Sequence, residues 1–82
     1  MTPEEDVKYL DCILWRCGKY IEAQQYEQAW YWYATFVDFW ARLRFTIPDT
    51  TQGASALLIH LREIQKALQR SKLSANLLDP RP

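Results

Sequence analysis

Residues 29–40 read AWYWYATFVDFW, which places three Trp, two Tyr and two Phe in twelve positions. Rings at this density either fill a core or meet a partner, and the choice decides the fold. No Gly or Pro interrupts the chain between Lys19 and Phe45. The stretch therefore predicts one helix over about residues 19–45, about 40 Å long at 1.5 Å per residue. At about 100° per residue, Gln24, Glu27, Gln28, Thr35, Asp38 and Arg42 gather into a narrow polar stripe. One neighbouring arc holds Ala23, Tyr26, Trp30, Tyr33, Val37 and Ala41. The other holds Ile21, Trp32, Phe36, Phe39 and Leu43. A surface helix needs one apolar stripe, so a helix with nearly two must be sandwiched.

The flanking segments supply candidates for the sandwich. Thr2-Pro3-Glu4-Glu5 reads as a helix start, with Thr2 as cap and Pro3 in the first helical position. Val7, Leu10, Leu14 and Cys17 then recur at helical spacing, and Gly18 is the natural stop. This predicts a first helix over about 3–17, with Trp15 outside its apolar stripe. Ile47-Pro48-Asp49-Thr50-Thr51-Gln52-Gly53 reads as a loop. Pro48 biases Ile47 away from helix, and Asp49 or Thr50 can cap the next helix. Leu57, Leu61, Ile64 and Leu68 alternate four and three apart, the seam of a third helix over about 50–73. Residues 74–82 are expected to form a loosely ordered tail. The fold expected is all-α: a single domain, 1–82, built as an antiparallel three-helix bundle around a long central helix. The first helix is about 22 Å long and leaves much of the second uncovered, so self-association, most simply a dimer, is also expected.

Ten acidic and ten basic residues cancel, which removes any long-range pull on nucleic acid or anionic lipid. The halves differ: residues 1–40 carry seven acids and three bases, and residues 41–82 carry three acids and seven bases. No uncharged apolar run is long enough to span a membrane. The first twelve residues lack the basic-then-apolar order of a secretory signal. With two cysteines only, a reducing cytoplasm is the expected setting.

Few residues point to chemistry. Cys12 and Cys17 lie about 140° apart on one helix, so they cannot bond to each other while it is intact. Two cysteines and one histidine fall short of a zinc site. His60 and Glu63, one turn apart, could perform acid–base work in a pocket, but no nucleophile motif or phosphate loop completes a catalytic set. Asp38 reads as an intrahelical pair with Arg42. No enzyme activity, cofactor or metal is expected. Arg62, Lys66 and Arg70 stand four apart on the outer face of the third helix. Such a row suits phosphates, an acidic protein, or plain solvent.

About residues 9–29, in LDCILWRCGKYIEAQQYEQA, the chain resembles the middle of a tetratricopeptide-type repeat. Leu10, Gly18, Tyr20, Glu22 and Ala23 fall where that pattern wants them. The later aromatic and small positions of the pattern fall on Glu27 and Trp30, and no second copy of the repeat is present. The resemblance implies a helix hairpin with a surface that holds other proteins.

Together these features lead to an expected function: a small non-enzymatic adaptor, chaperone-like or regulatory protein that binds another protein, a second copy of itself, or both. Trp and Tyr are enriched at binding hot spots. The expected contacts are Trp15, Trp30, Trp32, Tyr33, Phe36 and Trp40, with Arg62, Lys66 and Arg70 as an electrostatic rim. The alternative is a nucleic-acid-binding regulator that docks the basic face of the third helix on phosphates.

Overall fold

A computed structural model describes the backbone of residues 2–78 and the side chains of residues 2–70. It is all-helical: α1 (Pro3–Glu22), α2 (Tyr26–Leu43), a 3-10 turn (Arg44–Thr46) and α3 (Ala54–Leu78). No strand occurs among the described residues. The three helices pack together into a body of 50 × 19 × 19 Å.

The start of α1 forms as its sequence dictates. Thr2 is extended at the N-cap, and its Oγ1 accepts the backbone N–H of Glu5 at 3.2 Å. Glu4, Glu5 and Asp6 then stand at the positive end of the helix dipole. The end of α1 departs from expectation. Gly18 does not stop the helix, which runs on to Glu22. A helical Gly costs about 1 kcal/mol relative to Ala, but here it lets α3 come close: Ile64 Cδ1 lies 3.4 Å from where a Cβ on Gly18 would sit.

The chain turns instead at residues 23–25. Gln24 takes a left-handed conformation, φ 60°. The Gln25 N–H donates to the Tyr20 carbonyl at 2.8 Å and the Gln24 N–H to the Ile21 carbonyl at 3.0 Å. These two bonds form a Schellman cap, built without its usual glycine.

The position of this turn overturns the long central helix. At 18 residues α2 is the shortest of the three, about 27 Å. The helix that packs most closely against both others is α1. It contributes Val7, Leu10, Ile13, Leu14 and Cys17 to the core, whereas α2 contributes Ala29 and Phe36. Leu57, Ile64 and Leu68 come from α3. Cys17 ties the hairpin, its Sγ–H donating to the Ala29 carbonyl at 3.2 Å.

The contacts fix how the helices line up. Between α1 and α2, Tyr9 meets Phe39, Arg16 meets Trp32 and Cys17 meets Ala29. Between α1 and α3, Asp11 meets His60 and Gly18 faces Ile64, while Val7 lies by Gly53 just ahead of α3. Between α2 and α3 the marker is Tyr33, whose hydroxyl accepts from Gln65 Nε2 at 3.0 Å.

The loop before α3 also departs in detail. Ile47 is extended ahead of Pro48, but the helix begins at Ala54, not at residue 50. The Gly53 carbonyl accepts the first helical bond, from Leu57 N–H at 2.9 Å, and Gly53 has φ 86°. Thr51 is buried inside the loop, its N–H bonded to the Pro48 carbonyl, and neither Asp49 nor Thr50 caps. At its other end α3 continues to Leu78, five residues past the expected stop at residue 73. The remainder of the expected tail, residues 79–82, lies outside the described residues.

Relief of the left-handed strain gives the first prediction. Gln24→Gly should stabilise the protein by about 0.5–1 kcal/mol, the αL cost removed outweighing the added freedom of the unfolded chain. Thermal unfolding followed by circular dichroism should show a midpoint a few degrees higher. Gln24→Val should lower it.

Candidate functional site

The aromatic residues of α2 divide by their angle about the helix. Phe36 and Ala29 point inward with no exposure. The Phe36 ring stacks on Trp40, with centroids 6.0 Å apart and an interplanar angle of 13°. Phe36 is therefore core, and the expectation of Phe36 as a contact is corrected. It lies on the line where α2 meets both neighbours, and no partner reaches it. Trp40 is half-buried over that ring and shares a pocket with Ile47, Leu57 and Leu58.

Trp30 and Tyr33 lie on the side of α2 turned toward α3. Trp30 is 39 % exposed and meets the Tyr33 ring edge-on at 5.7 Å. Tyr33 is half-buried and held by Gln65. Trp32 lies on the opposite flank, beside α1. The Arg16 guanidinium covers it at 5.2 Å, and Tyr31 meets it edge-on at 5.8 Å. Trp15, on α1, is 58 % exposed, with the Lys19 ammonium 5.2 Å from its ring. The six expected contacts thus do not form one site. Trp30 and Tyr33 share a face, Trp40 lies deeper beside them, and Trp15 and Trp32 belong elsewhere.

The structure adds residues to the Trp30 face. Ala34, Val37 and Ala41 are exposed there, and so is Leu58 across on α3, at 43 %. With Trp30 the three α2 residues make a row spaced four, three and four, the spacing of a helix-packing seam. The sequence already sets Trp30, Val37 and Ala41 on one apolar arc with Trp30 as an expected contact; Ala34 joins the row only in the structure. Tyr31 and Phe45, at 67 % and 82 % exposure, are the most open rings. Phe45 leaves the helix in the 3-10 turn, which the sequence assigns to helix.

Among the polar residues, the Asp38–Arg42 pair forms as expected, the guanidinium donating to the carboxylate. His60 has a different partner from the one expected. Its Nδ1 lies 2.9 Å from Asp11 Oδ1 on α1, while Glu63 turns to Lys66 at 3.9 Å. The Asp11–His60 contact joins two helices, whereas the Lys–Glu and Arg–Asp ion pairs among the described residues each lie within one helix. Arg62, Lys66 and Arg70 are all exposed. Arg62 and Arg70 have no counter-charge within 4.0 Å among the described residues. No three His, Cys, Asp or Glu side chains of the described residues converge as metal ligands would. No described helix is long and apolar enough to cross a membrane.

The two cysteines differ in environment. Cys12 is exposed; Cys17 is buried, and burial pushes its thiol from 9.0 up to about 11. The chain matches no family model, no curated protein and no solved structure.

The thiols give the second prediction. At pH 8 a thiol reagent should modify Cys12 rapidly and Cys17 only after unfolding. Because the Cys17 value is raised on folding, the stability it contributes is complete below about pH 9 and is withdrawn as pH rises toward about 11. Denaturant midpoints measured across that interval should fall, and Cys17→Ala should flatten the fall.

Proposed function

We propose that this chain is a non-catalytic protein-binding module, adaptor-like, chaperone-like or regulatory, that acts through the Trp30 face of α2. In this reading α2 runs antiparallel to α1 and α3, the face serves a partner protein or a second copy, and the setting is a reducing cytoplasm. The observation that carries it is the exposed row Trp30, Ala34, Val37 and Ala41. Scattered exposed apolar residues are ordinary, but a row at packing spacing is a surface made to receive a helix or strand. The rigid rings beside it suit the anchor role, since Trp and Tyr bury much area at little entropic cost. Trp32 is less suited, because Arg16 already occupies its face. Two free thiols fit the reducing setting.

The alternative, docking of α3 on nucleic acid, is favoured by one feature: Arg62 and Arg70 stand exposed with no counter-charge among the described residues. It predicts binding that weakens steeply with salt.

The third prediction compares Trp30→Ala with Trp32→Ala in pull-downs, with helicity checked for each. Trp30→Ala should lose partner capture at unchanged helicity, by about tenfold or more, as hot-spot truncations do. Trp32→Ala should bind nearly as wild type. Equal capture by wild type and Trp30→Ala would sink the reading. Fluorescence anisotropy with labelled DNA or RNA at low and moderate salt checks the alternative, which requires Arg62→Glu, Lys66→Glu, Arg70→Glu to abolish binding.

A further inference from the structure

The face formed by α2 and α3 has a charge pattern that selects its occupant. Its centre is the apolar row on α2 with Leu58 opposite. Further round α2, by about 60° at 100° per residue, stand Glu27 and Asp38. Beside the corresponding rim of α3 stand Arg62, Lys66 and Arg70. Asp38 is already shared with Arg42 and Lys66 with Glu63, so the first rim keeps Glu27 as its open acid and the second keeps Arg62 and Arg70 as its open cations. Within one copy the two rims point apart, and no ion pair joins them among the described residues.

We infer that the occupant is a second copy of this chain, related by a two-fold axis parallel to the helices, so that α2 of each copy lies on α3 of its partner. The inference rests on the reading of this face as a docking surface. Two symmetric arrangements can close the face on itself. An axis perpendicular to the helices lays α3 on the partner's α3 and brings two cationic rows together, which is repulsive. The parallel axis brings the acidic rim of one copy to the basic rim of the other, along both edges.

The lengthwise register agrees. The Tyr33–Gln65 hydrogen bond sets those residues at one height, and a parallel axis preserves height. Glu27 lies six residues from Tyr33, and Arg70 lies five from Gln65 in the same direction. Glu27 therefore meets the partner's Arg70 to within about 1.5 Å of height. Asp38 meets the partner's Arg62 to within about 3 Å by the same count. Both distances are within reach of an arginine side chain. Arg62 and Arg70 thereby gain counter-charges that none of the described residues supplies. The exposed Ala34 and Ala41 leave room for a neighbouring helix to approach.

The test uses sedimentation equilibrium on the full chain and on charge-reversed variants, with helicity monitored throughout. Wild type should run at twice 9.8 kDa. Arg70→Glu and Glu27→Lys should each weaken the dimer at least about tenfold, and the two together should restore it to within about threefold. Arg62→Glu with Asp38→Lys gives a second cycle, should the first pair fail to fold. A monomer at every concentration, a dimer indifferent to the reversals, or double variants no better than the singles would each overturn the inference. A monomeric wild type whose Trp30→Ala variant still loses a foreign partner would overturn the dimer and leave the docking face standing.

Discussion

The fold depends on the enclosure of α1 between α2 and α3. Leu10, Leu14 and Cys17 have no exposure at all, and each fully buried Leu is worth about 2–3 kcal/mol relative to exposure. A domain this small has little else to hold it together. The enclosure is possible because the first turn falls after Glu22 rather than at Gly18. Cys17 can then reach across to the Ala29 carbonyl, and Gly18 becomes the point at which α3 approaches through Ile64. The same placing shortens α2 and frees one of its flanks.

That freed flank explains the aromatic density. Rings on α2 do three different jobs according to angle alone. Phe36 fills the core, with Trp40 laid over it. Trp32 and Phe39 close the seam with α1, the first under Arg16 and the second against Tyr9. Trp30 remains at the surface, braced by Tyr33. A core built from rings needs less chain than one built from aliphatic residues, because each ring buries on the order of 150–250 Å². The surplus ring area is what a docking face requires.

Electrostatics on this molecule is mostly local. Lys19–Glu22, Asp38–Arg42 and Glu63–Lys66 are exposed pairs one turn apart, of a kind worth a few tenths of a kcal/mol each. Arg16 lies over Trp32, Lys19 over Trp15 and Arg44 over Phe45. Against this background the open cations Arg62 and Arg70 stand out, and their position beside an apolar row gives them a use in recognition that isolated surface charges lack.

Local pattern in the chain was enough to dictate the helical class, the Thr2–Pro3 start, the buried stripes of α1 and α3, the Pro48 loop and the Asp38–Arg42 pair. Each depends on near neighbours: spacing, capping chemistry and the restriction a proline places on the residue before it. The first turn was misplaced because its two signals mislead when read locally. Gly18 looks like a stop but serves close packing, and Gln24 adopts a conformation that usually selects glycine. At Gly18 the cost is offset by the approach of Ile64 from α3, and at Gln24 the two capping bonds to Tyr20 and Ile21 close the turn. The division of the rings into core and open was settled in three dimensions. Residues on one helix share faces by periodicity, but which face is covered depends on where the neighbouring helices lie. That in turn is fixed by contacts such as Cys17–Ala29 and Tyr33–Gln65, between residues far apart in the chain.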